Sequence, residues 1–177
     1  VVLLLLDMLE DEEKLVLSEK QRKDLEWDLG WELHKYARTQ ARDDFKTLIK
    51  EGGAYAGAPE VFADLNWQNE FGTAPIWWTC MHGDIELTQL LLDAGADADR
   101  CDDDQWTATH VAARYGHDKC VDILIKAGAD LTIRAADGEL AVDKACSYRN
   151  EECEKLLREA AMFAEVTGAQ GIETDGV

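Results

Sequence analysis

The sequence predicts an all-α solenoid: stacked helix–turn–helix units with protruding loops, flanked by capping helices. Three observations predict it. Shifting the sequence by 33 residues lays Gly83 on Gly116 and LLLDAGAD (90–97) on ILIKAGAD (123–130), the self-similarity of a stacked array. In both copies apolar residues at i, i+3 and i+4 mark a short first helix that the glycine ends, and a second helix follows over Ile85 to Leu92 or Val121 to Ile125. Gly95 and Gly128 then suit a left-handed helix-ending position. The same shift carries Cys80 past Ala113 to Cys146, and Cys120 to Cys153, so four of the five cysteines fall at two repeated positions. They are expected to be small packing residues. A single unit of this kind cannot bury its apolar face, whereas three or four stacked units can.

Residues 1–29 read as an acidic N-terminal helical segment and cap. Ser18 to Gln21 forms a capping box for a helix through Trp27, and Leu25, Leu29 and Leu33 are placed to cover the end of the first unit. The VVLLLL run (1–6) is about a third of a membrane span and leads into acidic EDEE. It has neither the basic flank nor the cleavage site of a secretory signal, so no direct membrane insertion is expected. Residues 30–68 form a degenerate first unit, LHKYA (33–37) and FKTLIKEGGA (45–54), with an insertion up to residue 68. Residues 69–101 and 102–134 are the two clearest units. Residues 135–164 are the terminal unit, with Cys153, Leu156, Leu157 and Ala160 supporting a final helix, and residues 165–177 are a polar, glycine-containing tail expected to be flexible.

The segments GTAPIWWTCMHGD (72–84), QWTATHVAARYGH (105–117) and GELAVDKACSYRN (138–150) resemble the ankyrin-repeat pattern G-x-T-P-L-H-x-A-A-x-x-G-H, with an apolar helix and G-A-D after it. The resemblance covers roughly residues 30–160. It implies that Thr107 and His110 hydrogen-bond to hold the turn before the first helix, and that His117 links helices. Ala74 and Trp77 stand in for that Thr–His pair in one copy, and Leu140 and Asp143 in another, so those turns need a different fastening.

The composition narrows the functional classes. With 18 Lys and Arg against 37 Asp and Glu, the formal charge is -19, which argues against a nucleic-acid ligand and favours a partner with a basic surface. From Glu51 to Asp99 there is no Lys or Arg; this stretch reads either as a solvated face or as a field that steers a cationic partner. An odd set of five cysteines without a CxxC pair indicates neither a disulfide framework nor a zinc ribbon. A reducing compartment, cytoplasm or nucleus, is expected, the alternative being an organelle interior after removal of a targeting segment. No catalytic constellation is present: GxSxG, HExxH and a glycine-rich phosphate loop are all missing, and His117 and Cys120 both fall at repeated helix positions. No cofactor is expected. The run DADRCDDD (97–104) puts Asp102 and Ala108 where a calcium loop beginning at Asp97 needs Gly and Glu, so it reads as turn acids.

Some residues are not needed for packing the array. On the first helices Trp78, Met81 and His82 form an i, i+3, i+4 stripe, whose matching positions are Val111, Arg114 and Tyr115, then Lys144, Ser147 and Tyr148; at the loop tips they are Glu70, Phe71 and Thr73, then Asp103, Asp104 and Trp106, then Asp137 and Glu139. The ankyrin resemblance implies that these positions line a concave binding surface. Aromatics inside an acidic rim resemble the composition of interface hot spots. The expected function is therefore a non-catalytic interaction module that holds a basic protein segment there. In a different reading, the chain is an architectural subunit of a larger multiprotein assembly, anchored by VVLLLLDML (1–9), because a free module has no use for exposed leucines. A structural alternative packs Trp78 and Trp106 against Trp67 and the 54–68 insertion.

Overall fold

The computed structural model describes residues 64–168, of which 165–168 as backbone, together with His34, Lys35, Ala37, Arg38, Lys46 and the backbone of 54–55 and 58–62. The expected N-terminal cap helix and the Leu-rich start lie outside the described residues. Backbone at His34, Lys35, Ala37 and Arg38 is helical, in the segment read as the first unit. Strands β1 (Ala54–Tyr55) and β2 (Ala58–Phe62) form an antiparallel pair within the insertion, Ala54 opposite Phe62 and Tyr55 opposite Ala58; the sequence reading assigned no strand there. Six helices follow: α1 (Pro75–His82), α2 (Ile85–Asp93), α3 (Ala108–Tyr115), α4 (Asp118–Lys126), α5 (Ala141–Ser147) and α6 (Glu151–Gly168).

Each helix pair is introduced by a finger whose backbone closes on itself. Asn69 N–H bonds Thr73 O, Asp102 N–H bonds Trp106 O, and Ala135 N–H bonds Glu139 O, at 3.2, 3.0 and 2.9 Å. One backbone hydrogen bond joins each finger to the next: Asp103 N to Phe71 O, and Ala136 N to Asp104 O. The helices pack in two rows, α1–α3–α5 on the finger side and α2–α4–α6 behind them. Small residues let the first row approach closely, since Ala108, Ala112, Ala113, Ala141 and Ala145 are all buried. Leu87, Leu91, Val121, Leu124 and Leu157 fill the space between rows, each contributing on the order of 1.5–3 kcal/mol by burial.

The turn between paired helices is fixed by close contact. Gly83 and Gly116 end α1 and α3 at φ 67° and 76°, and a Cβ on Gly116 would lie 2.8 Å from Asn150 Oδ1 in the next unit. The third residue at this position is Arg149, also at positive φ (60°). No described unit follows it. The same end effect corrects one expectation: Cys80, Cys120 and Cys153 are buried as packing residues, but Cys146 is exposed, because α5 closes its row. The acids of 97–104 serve the turns. Asp97 Oδ1 accepts from Asp99 N, Asp99 Oδ1 from Asp130 N one unit on, and Asp102 Oδ1 from Asp104 N and Trp106 N.

Candidate functional site

The histidines resolve first. Thr107 Oγ1 lies 2.9 Å from His110 Nδ1, and His110 Nε2 lies 3.3 Å from the carbonyl oxygen of Glu139. A carbonyl only accepts, so Nε2 carries the proton, and Nδ1 accepts from the Thr107 hydroxyl and N–H. Burial pushes the His110 pKa down, as does the charge of Lys144, against the bond to Glu139. The ring is a neutral strut between α3 and the next finger. His117 Nε2 donates to Met81 O at 3.1 Å, and Asn150, one repeat later, donates to Ala113 O and Arg114 O.

The two departures from the pattern are fastened in other ways. Before α1, Pro75 occupies the first turn, and Asn69 Oδ1 accepts from Phe71 N, Thr73 N and Thr73 Oγ1. Before α5, the Asp143 carboxylate accepts from Leu140 N at 2.9 Å. In the first unit His34 plays the strut, its Nε2 lying 3.1 Å from Thr73 Oγ1 in the following finger. His34 to Trp77 is 43 residues, ten more than the period, which locates the extra length in the insertion.

Two clusters arise on the finger side. The first is closed. Trp78 Nε1 donates to His34 Nε2 and Thr73 Oγ1 at 2.9 and 3.0 Å, His34 meets Trp67 edge-on at 5.4 Å, and the Arg38 guanidinium lies over Trp78. Burial, then the Arg38 charge, lowers the His34 pKa to about 4. His82 Nε2 donates to Arg38 O. Thr73 is buried, and Trp78, Met81 and His82 are half-buried, so much of the stripe expected on the second unit fastens it to the first. Trp78 is thus engaged by His34 and Thr73 rather than by Trp67, which meets His34 instead. Phe71 and Glu70 remain exposed at the finger tip.

The second cluster is open and spans the third and fourth units. The Trp106 ring has Lys144 Nζ 4.6 Å from its centroid and the Arg114 guanidinium at 5.2 Å; Arg114 also lies 4.9 Å from the Tyr148 ring and 5.7 Å from that of Tyr115. Tyr115 and Tyr148 are about half exposed, at 48% and 50%. Trp106 thus packs on Arg114 and Lys144.

Of the stripe positions expected to be spare, Val111 belongs to the core, and Lys144 is fastened as well. It is buried, with Nζ paired to Asp137 and, at 2.7 Å, to Glu139. Burial lowers its pKa, but the bonds to Asp137 and Glu139 outweigh that and raise it; the Lys144 hydrogen bond holds the Asp137 carboxyl below its usual range. These two rim carboxylates are therefore already compensated. Asp103 and Asp104 differ: both are exposed, and their carboxylates form no ion pair among the described residues. A lysine among the apolar residues Trp78 and Val111 at the matching positions was the available signal for Lys144.

Among the described residues no group of three or more His, Cys, Asp and Glu side chains is arranged to hold a metal ion, and no helix is long and apolar enough to cross a membrane. Burial, with nearby acids, pushes the Cys153 thiol up to about 11, away from nucleophilic character. A family model of ankyrin repeats, in three copies, matches residues 33–135, more than half of the chain. The match begins at the LHKYA segment.

Proposed function

This chain belongs to the ankyrin-repeat family, whose repeats are protein–protein interaction modules, and from that premise we propose that it is a non-catalytic binder holding a cation-bearing partner segment on its finger side. One observation carries the reading: the Arg114 guanidinium lies over the rings of Trp106, Tyr115 and Tyr148, the two tyrosines half exposed, and Asp103 and Asp104, without an ion pair among the described residues, lie on the finger that carries Trp106. Rings of this kind supply rigid anchoring area, and the formal charge of -19 favours encounter with a basic surface. Five free thiols suit a reducing compartment.

The test is capture of a partner on the purified chain, identification by mass spectrometry, and kinetics at two salt concentrations. Reversing Asp103 and Asp104 to Lys should slow association and flatten its salt dependence. Tyr115→Ala should speed dissociation and cost about 2 kcal/mol, as an anchor does; it is a cleaner probe than Trp106→Ala, which also uncovers Lys144. Salt-independent association together with unchanged affinity in Tyr115→Ala removes binding from this face. The architectural reading draws its support from the leucines of residues 1–9. It loses that support if a chain lacking those nine residues stays monodisperse and keeps its partner.

A further inference from the structure

The open cluster is not uniformly acidic, and its unsatisfied charges define the partner more narrowly. Lys144 is spent on Asp137 and Glu139. Arg114 is not: its guanidinium is stacked against the rings of Trp106, Tyr148 and Tyr115, and among the described residues it has no carboxylate partner and no side-chain hydrogen bond. Ring stacking satisfies the flat faces of a guanidinium and leaves its N–H edge to bond a carboxylate in bidentate fashion. Arg114 is half-buried, so water screens such a pair less than one at a loop tip. The free anions, Asp103 and Asp104, lie on the finger that carries Trp106, two and three residues before the ring that Arg114 covers.

Resting on the interaction reading above, the geometry points to a mixed-charge ligand: an extended protein segment whose Asp or Glu carboxylate seats on the Arg114 guanidinium, with a nearby Lys or Arg reaching Asp103 and Asp104 on the finger that carries Trp106. A uniformly basic segment leaves Arg114 facing like charge. A uniformly acidic one is repelled by the finger tip. Discrimination against both follows from opposite charges carried on and beside the same finger.

The experiment is selection of random twelve-residue displayed peptides on the full chain, followed by titration of the best synthetic peptide on variants checked for native circular dichroism. Enriched peptides are expected to carry both an acid and a base. The selected peptide should bind Arg114→Glu about tenfold more weakly. Arg114→Met, which keeps bulk over the rings without charge, should also weaken it, and replacing the peptide's acid with its amide should abolish the difference between wild type and Arg114→Met. Basic-only winners that bind Arg114→Glu more tightly overturn this inference and leave the basic-partner reading standing. Winners indifferent to Arg114, Asp103 and Asp104 alike, or a library yielding no binder, overturn both.

Discussion

At the scale of single residues, the glycines at one repeated position are set by the unit above them. Gly116→Ala meets both a left-handed backbone and Asn150 Oδ1 at 2.8 Å, so it should lower unfolding free energy by about 2–3 kcal/mol. Gly128→Ala meets the backbone penalty alone, since nothing lies within 4 Å, and should cost about 1 kcal/mol. Urea titration of both variants checks this; equal losses contradict nesting of Asn150. Arg149→Gly should instead be neutral or stabilising by up to about 1 kcal/mol, because its φ of 60° strains a non-glycine residue. His34 gives a pH effect of known sign. Its folded pKa of about 4 lies below the ordinary 6.5, so its unfolded form binds the extra proton between those values. Its contribution is complete above about pH 6.5 and is lost as pH falls through about 4, on the order of 1–3 kcal/mol. Thermal unfolding of wild type and His34→Gln at pH 7 and pH 5 should converge at the lower pH, and a constant gap contradicts the assignment.

At the scale of elements, the stack is held by side chains that cross from one unit to the next. His110 is the strongest case: deleting its ring removes the acceptor of the Thr107 hydroxyl and N–H and one of the two donors to the Glu139 carbonyl, the link from α3 to the next finger. His110→Ala should cost about 2–3 kcal/mol and loosen the 135–139 finger in hydrogen exchange. Asp143→Ala, which removes only the local acceptor for Leu140 N, should cost about 1 kcal/mol. The helices were legible because spacing repeats: Gly83 and Gly116, the AGAD turns and the Thr107–His110 pair are local signals. The strands β1 and β2 were not, because they sit in an insertion that has no second copy to align. Nor was the fate of Trp78 legible, since its indole is claimed by His34, 44 residues away and out of register by the insertion. The role of Lys144 was hidden for a related reason: a lysine in the inner-helix stripe reads as spare until Asp137 and Glu139 are seen converging on it.

At the scale of the molecule, a stacked array presents its fingers and inner helices as one surface, so charges and rings distant in sequence act together. The surface divides into a closed half, where Trp78 and His34 bind the first units to each other, and an open half around Trp106, Arg114, Tyr115 and Tyr148. The proposed function puts recognition on the open half. Amide hydrogen exchange of the chain with and without its captured partner tests that placement most directly. Protection is predicted in the 102–106 and 135–139 fingers and in α3 and α5 near Tyr115 and Tyr148, with α2 and α4 unchanged. Protection confined to α2, α4 or residues 1–29, with the fingers exchanging as in the free chain, would contradict it.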